Sequence, residues 1–164
     1  MRIAIFTTGG TIDKVYFDAK GGFEVGAPMV RQILDNARVA DWIPITELLR
    51  KDSLDMTASD RDAICAAVAA ADASAVIVTH GTDTMVETAL ALREVTGKTI
   101  VLTGALQPGR FADSDASFNL GMAMGAVQVL PPGVYLVANG QVFPADRVRK
   151  NLELNRFERI EPAD

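Results

Sequence analysis

The stretch A-V-I-V-T-H-G-T-D-T-M at residues 75–85 decides the fold class of this chain. Its first five residues form an apolar, β-branched run, and the polar residues and glycine that follow are typical of a turn at the end of a strand. Similar runs occupy residues 2–7, 99–103 and 134–138. Continuous apolar runs of this length indicate strands that are buried on both faces of a parallel sheet.

Helical patterns fill the segments between these strands. They predict helices over residues 28–39, 60–71, 83–96 and 116–130. Thr57 and Asp60 have the spacing of a capping box before the second helix, and Gly97 is placed to follow the third. The alternation of strands and helices therefore predicts an α/β fold. We expect residues 1–164 to form one doubly wound domain, with a mostly parallel sheet and helices on both faces.

The composition narrows the possible partners and surroundings. With 164 residues and a net charge of −5, the chain has no general basic surface that would attract nucleic acid or an anionic membrane. Cys65 is the only cysteine, so an intrachain disulfide and a cysteine-based zinc cluster are excluded. No apolar run reaches the length of a membrane span, and the cytoplasm is the expected location. We expect no metal and no cofactor.

Two glycine turns that carry threonines suggest chemistry. T-T-G-G-T-I-D at residues 7–13 and the turn at residues 80–84 each follow a predicted strand, so Thr11 and Thr82 are expected at the same edge of the sheet. Threonine is a weak nucleophile that needs a base or a nearby cation, together with donors for an oxyanion. Gly10 leaves room for a carbonyl substrate to approach the backbone, and Asp83 with Lys150 could supply the charges.

Two long connections, at residues 14–27 and 105–116, are rich in glycine, aspartate and serine. In a compact domain, loops of this length more often have a function than serve only as connections. Because residues 14–27 directly follow the first threonine turn, this segment is interpreted as a lid over the site.

Together these motifs resemble the N-terminal domain of bacterial-type L-asparaginases. The resemblance rests on T-G-G-T-I, H-G-T-D-T-M-x-E-T-A, V-L-T-G-A-L and D-R-V-x-K, which occur in the order found in that family. It implies that Thr11 is the primary nucleophile and that Thr82, Asp83 and Lys150 form a second catalytic cluster. The implied substrate-binding residues are Gly10, Ser53, Asp55 and Gly81. The implied reaction is the hydrolysis of L-asparagine to L-aspartate and ammonia through an acyl-enzyme.

The sequence departs from the family pattern at three points. The common family members carry a second, C-terminal domain, and this sequence ends at Asp164, as expected for a short-chain member or a truncated chain. Phe23 stands where the family usually has an activating tyrosine, so Tyr16 is the candidate for the missing phenol. Leu54 replaces a polar residue between the two substrate-binding positions Ser53 and Asp55, which affects selectivity.

Three hypotheses for function follow. The first is an asparaginase with a threonine nucleophile, and the second is an amidase for another amide such as glutamine. The third is a catalytically inactive domain that binds an amino acid as a sensor or subunit. His80 is interpreted as a packed core residue with no catalytic role. Because one open domain does not exclude water from an acyl-transfer site, a homo-oligomer is expected.

Overall fold

A six-stranded sheet forms the centre of the computed structural model, which describes residues 2–17, 21–39 and 42–161. In chain order its strands are β1 Ile3–Gly9, β4 Ile45–Lys51, β5 Ala75–Thr79, β6 Thr99–Thr103, β7 Gly133–Ala138 and β8 Gln141–Pro144. They lie in the spatial order β4-β1-β5-β6-β7-β8. All neighbouring pairs are parallel except β7 with β8, which are antiparallel. The predicted mostly parallel sheet is confirmed.

Helices cover both faces of this sheet, as predicted. The four helices are α1 Val30–Asn36, α2 Ala58–Ala70, α3 Met85–Ala91 and α4 Ala116–Val129. Ile64 of α2 and Met85 of α3 belong to one buried cluster, on one face of the sheet. Val30 of α1 and Leu120 of α4 belong to a second cluster, on the opposite face. Residues of β5 alternate between the two clusters, because successive side chains of a strand point to opposite faces.

Some of the predicted helix ends are observed in the structure and others are not. The capping box is present, with Thr57 and Asp60 bonded to each other's backbone N–H groups at the start of α2. The prediction that a helix starts at Asp83 is wrong, because α3 begins at Met85 and gives way to a short 3-10 helix after Ala91. Gly97 has a φ of 76°, but it follows the end of that 3-10 helix by three residues and does not cap it directly.

Several strands lie outside the sequence prediction. Edge strand β4 has a mixed burial pattern, so it lacks the continuous apolar signal of the inner strands. The predicted lid at residues 14–27 contains an antiparallel pair of strands, β2 Lys14–Phe17 and β3 Gly22–Val25, and residues 18–20 lie outside the described residues. A second hairpin joins β9 Val148–Asn151 to β10 Arg156–Arg159. Within the described ranges, no helix is long and apolar enough to cross a membrane.

Candidate active site

Three turns meet at the carboxyl edge of the sheet. They follow β4, β1 and β5, which are neighbours in the sheet, and they carry Ser53, Thr11 and Thr82 respectively. The strand order reverses beside β1, because the chain passes from β1 to β4 on one side and then returns to β5 on the other. In open α/β sheets this switch point is where ligands bind.

The backbones of the two glycine turns are in direct contact. A Cβ atom added at Gly10 would lie 2.4 Å from both the N and the Cα atom of Gly81, a distance that real Cβ atoms do not adopt. A Cβ atom at Gly81 would in turn lie 2.5 Å from the Ser53 Oγ atom. Glycine is therefore needed at both positions so that the three turns can pack together. This packing brings Thr11 and Thr82, which directly follow the two glycines, to one place.

Lys150 reaches this place from β9, which packs against α3. Its Nζ atom donates a hydrogen bond of 2.8 Å to Thr82 Oγ1 and forms an ion pair with Asp83. The Lys150 side chain is only 9% exposed, whereas that of Asp83 is 40% exposed. A largely desolvated ammonium group on a threonine hydroxyl stabilises negative charge on that oxygen. The predicted cluster of Thr82, Asp83 and Lys150 is therefore formed by a contact between elements far apart in the sequence.

Ser53 has an unsatisfied hydroxyl. Its Oγ atom is buried and has no hydrogen-bond partner among the described residues. The backbone around it is fixed, because Thr84 Oγ1 donates to the Ser53 carbonyl oxygen at 2.8 Å. Buried polar groups normally have partners, so this unpaired hydroxyl, which lies against Gly81 of the second threonine turn, is an exception to that rule at the carboxyl edge. Asp55 lies in the same short 3-10 helix and is exposed.

The lid hairpin starts immediately after the first threonine turn. Thr11 is half-buried in a 3-10 turn that runs to Asp13, and β2 begins at the next residue. Tyr16 and Phe23 are cross-strand partners with ring centroids 5.5 Å apart, and Phe111 packs edge-on against Phe23. Among the described residues, the Tyr16 hydroxyl makes no hydrogen bond to Thr11. The structure thus places Tyr16 beside Phe23 on the neighbouring strand, where both side chains are half-exposed.

Two buried titratable groups adjoin the turns. His80 is fully buried, and burial lowers the pKa of its ring to about 4. Asp13 is also buried, and burial raises the pKa of its carboxyl to about 6 against the opposing effect of a hydrogen bond from Met29 N–H. Asp13 has no role predicted from the sequence. No local sequence signal marks Asp13 as buried, because aspartate at the end of a turn is usually exposed.

Side chains of the types that commonly bind metal ions do not cluster in the described part of the chain. Within residues 2–17, 21–39 and 42–161, no three His, Cys, Asp or Glu side chains are arranged to hold a metal ion.

Comparison with known proteins identifies the family of this chain. The family profile described as "Asparaginase, N-terminal" matches residues 2–160. The chain belongs to the asparaginase family. Its fold superimposes on the L-asparaginase structure of Thermococcus kodakarensis with a TM-score of 0.85 at 29% identity, covering 100% of this chain and 52% of that one.

Two further relatives from the asparaginase family extend the comparison. The structure of a protein named "Probable Cytoplasmic L-asparaginase" from Campylobacter jejuni gives a TM-score of 0.81 at 29% identity, covering 96% of this chain and 52% of that chain. A protein named "Glutaminase-asparaginase" from Acinetobacter glutaminasificans is 29% identical over 172 residues, covering 94% of this chain and 51% of that protein. The chain thus spans about half the length of the relatives that it matches.

Proposed function

We propose that this chain is the catalytic domain of an amidohydrolase that converts L-asparagine to L-aspartate and ammonia. The observation that supports this best is the direct backbone contact between the two glycine turns, with Thr82 bonded to Lys150 beside it. A domain that only bound an amino acid would not need a buried ammonium group on a threonine hydroxyl next to a second threonine. The reaction needs no metal or cofactor.

In the proposed reaction Thr11 is the nucleophile. Its Oγ atom adds to the side-chain amide carbon of L-asparagine, and its proton passes through neighbouring hydroxyl groups to the amide nitrogen. The C–N bond then breaks, ammonia leaves, and an ester joins Thr11 to the aspartyl group. Water adds to this ester and releases L-aspartate, and the Thr11 hydroxyl regains its proton. The Thr82 N–H, which makes no hydrogen bond within the described residues, is assigned to hold the oxyanion that forms in each step.

Thr82 is assigned to the second half of this reaction. Because Lys150 donates to its oxygen, the proton of the Thr82 hydroxyl is left to point toward the substrate or the attacking water. Asp83 holds the ammonium group in place and keeps the charge of the cluster near zero.

The other groups of L-asparagine have matching partners. The unpaired hydroxyl of Ser53 is assigned to the α-carboxylate, and the exposed carboxylate of Asp55 is assigned to the α-ammonium group. Gly10 and Gly81 are assigned to backbone contacts with the substrate, since they bring the two threonine turns together without side chains of their own. Tyr16 is assigned the role of the phenol that activates Thr11, since it lies beside Phe23 on the lid hairpin.

We further propose that the domain works as a homo-oligomer in the cytoplasm. Several large apolar side chains of the segments that follow the strands at the carboxyl edge are exposed, including Tyr16, Phe23, Leu54, Phe111 and Leu152. Covering these side chains with a second copy of the chain would bury apolar surface and exclude bulk water. The cytoplasmic location is supported by the single cysteine and by the name of the Campylobacter jejuni relative. Light scattering tests the oligomer, and an active monomer would contradict it.

The test of the activity is ammonia release from purified protein given L-asparagine, L-glutamine and D-asparagine in turn. We expect L-asparagine to be the best substrate, and Thr11→Ala and Thr82→Ala each to lower kcat by about a hundredfold or more. Thr96→Ala, at an exposed threonine near the opposite edge of the sheet, is the matched control and should keep full activity. If either variant in the turns keeps the wild-type rate, that threonine has no part in the mechanism.

A second substrate class is favoured by one observation. Phe23 and Leu54, which both differ from the family pattern, line the same open cleft of about 770 Å³ together with Asp55. Two large apolar side chains beside the proposed α-amino site, in a cleft that charged residues otherwise line, favour an amide substrate larger than asparagine. One relative is named for both glutaminase and asparaginase activity. Turnover of L-glutamine or of an asparagine-containing dipeptide above that of L-asparagine would establish this alternative. Binding of L-aspartate without turnover of any amide would establish the third hypothesis, an inactive binding domain.

A further inference from the structure

His80 makes a defined set of contacts that the proposed reaction does not use. Its Nδ1 atom lies 2.7 Å from the carbonyl oxygen of Gly81, and its Nε2 atom lies 2.8 Å from Oγ1 of Thr88 in α3. The Sδ atom of Met56 lies 3.1 Å from the same Nε2 atom. All of these contacts are buried, and the ring itself is 0% exposed.

These partners fix which ring nitrogen carries the proton. A carbonyl oxygen only accepts hydrogen bonds, so the contact with Gly81 requires a proton on Nδ1. The ring is neutral at pH 7, because burial holds its pKa near 4, and Nε2 therefore has no proton. Thr88 donates its hydroxyl proton to Nε2. The three groups thus form a directed chain in which Thr88 donates to His80 and His80 donates to Gly81.

The bond to Gly81 sets the orientation of the next peptide. In a planar trans peptide the C=O and N–H bonds point in opposite directions, and none of the described peptide bonds is cis. The Gly81 carbonyl accepts a hydrogen bond from the buried imidazole, so the Thr82 N–H points away from the ring. That N–H donates no hydrogen bond to any described residue.

We propose that His80 is a positioning residue, which holds the Gly81–Thr82 peptide so that the Thr82 N–H faces the substrate. The imidazole does not touch the substrate and transfers no proton. It acts through the peptide, and Thr88 keeps it in the required tautomer. This inference rests on the proposed amidohydrolase function, but part of its test does not depend on activity.

The first experiment uses the fact that the chain contains a single histidine. Protein labelled with ¹⁵N at histidine should give one pair of ring signals, with a protonated Nδ1 and an unprotonated Nε2, unchanged from about pH 8 to about pH 6. A protonated Nε2 at pH 7, in either a neutral or a charged ring, would overturn the proposal. Thr88→Val should perturb these signals, whereas the matched control Thr99→Val, which removes a hydroxyl at the opposite end of the sheet, should leave them unchanged.

The second experiment compares two variants that each keep a hydrogen-bonding group at only one of the two ring-nitrogen positions. In His80→Asn the side-chain amide can still donate near the Nδ1 position to Gly81, whereas in His80→Gln the amide reaches the Nε2 position and the donor to Gly81 is lost. We expect His80→Gln to lower kcat about tenfold with little change in KM, and His80→Asn to stay within about threefold of wild type, because an oxyanion donor acts mainly in the transition state. The thermal stability of both variants is measured alongside.

The outcomes separate this inference from the proposed function. If the wild type releases ammonia but the two variants lose equal activity in proportion to their lost stability, the positioning role is wrong and the function stands. If the wild type is inactive on every amide, the function is wrong. The ¹⁵N amide signal of Thr82 then decides, since it should shift in His80→Gln and stay near its wild-type position in His80→Asn, and an equal shift in both variants would refute the inference.

Discussion

Replacing Asp13 by asparagine should change how the stability of this protein depends on pH. The Asp13 side chain is 1% exposed, and its Oδ1 atom accepts a hydrogen bond of 2.9 Å from Met29 N–H. Burial raises the pKa of this carboxyl from 3.8 to about 6, although the bond from Met29 lowers it. Asparagine has nearly the same shape and can accept the same hydrogen bond, but it has no charge at any pH.

The size and sign of the effect follow from the two pKa values. Since the folded-state pKa of Asp13 is above the unfolded value, the folded protein binds this proton more tightly. Its contribution to stability is fully present below about pH 4 and is lost as the pH rises through 6. A shift of about two pKa units corresponds to about 3 kcal/mol at most. The free energy of unfolding of Asp13→Asn, relative to wild type, should therefore rise by up to about 3 kcal/mol between pH 4 and pH 7.

Urea denaturation at several pH values from about 4 to about 7 measures this difference directly. Asp72→Asn, which changes a carboxylate that is 91% exposed, is the control and should give a nearly constant difference. Asp13→Ala should be less stable than Asp13→Asn at every pH, because it leaves the Met29 N–H buried without a partner. A stability difference between Asp13→Asn and wild type that does not change with pH would refute the reasoning.

Three further predictions concern the site and the fold. Lys150→Met should lower kcat for ammonia release by about a hundredfold, because among the described residues Lys150 is the only cation bonded to a threonine of the second turn. Lys51→Met breaks the ion pair between Asp60 and a more exposed lysine, and it should leave kcat unchanged. Gly10→Ala should lower the free energy of unfolding by about 3 kcal/mol and abolish activity, because the added Cβ meets the Gly81 backbone. Gly97 also has a positive φ but faces open space, so Gly97→Ala should lower the free energy of unfolding by about 1 kcal/mol and keep activity. Thr57→Ala should lower the free energy of unfolding by about 1 kcal/mol and Tm by a few degrees, since it removes the capping box of α2.

Kinetics and thermal denaturation on the same preparations check these predictions. Equal activity of the two lysine variants would remove the ammonium group from the mechanism. Equal destabilisation by the two glycine variants would show that conformational strain, and not the contact between turns, makes glycine necessary at the first threonine turn. An unchanged Tm in Thr57→Ala would mean that the helix does not need its capping box.

The sequence predicts a strand or helix correctly where the local pattern of residues is strong. The inner strands β1, β5, β6 and β7 are buried on both faces, so their composition alone marks them, and each was predicted. Edge strand β4 and the two hairpins are partly exposed, and their mixed residues carry no such signal. The predicted start of α3 was wrong because the polar residues before Met85 resemble a helix N-terminus but form the site turn instead.

The candidate site also has features that the sequence predicts and features that it does not. The two threonine turns are readable in the sequence, because each motif is continuous and follows a predicted strand. Their direct contact through Gly10 and Gly81, the unpaired hydroxyl of Ser53 and the placement of His80 behind the second turn are not readable, since each depends on a distance between segments.

The sequence by itself determined the fold class, the inner strands and the two threonine motifs, because burial on both faces of a strand and tight turns constrain residue type locally. Only the tertiary structure decided that Lys150 bonds to Thr82, 68 positions away, and that Tyr16 lies beside Phe23 on the lid. The physical reason is that a hydrogen bond or a desolvated charge depends on geometry between distant segments. Parallel strand order and the packing of β9 on α3 set that geometry, and no short stretch of sequence contains it.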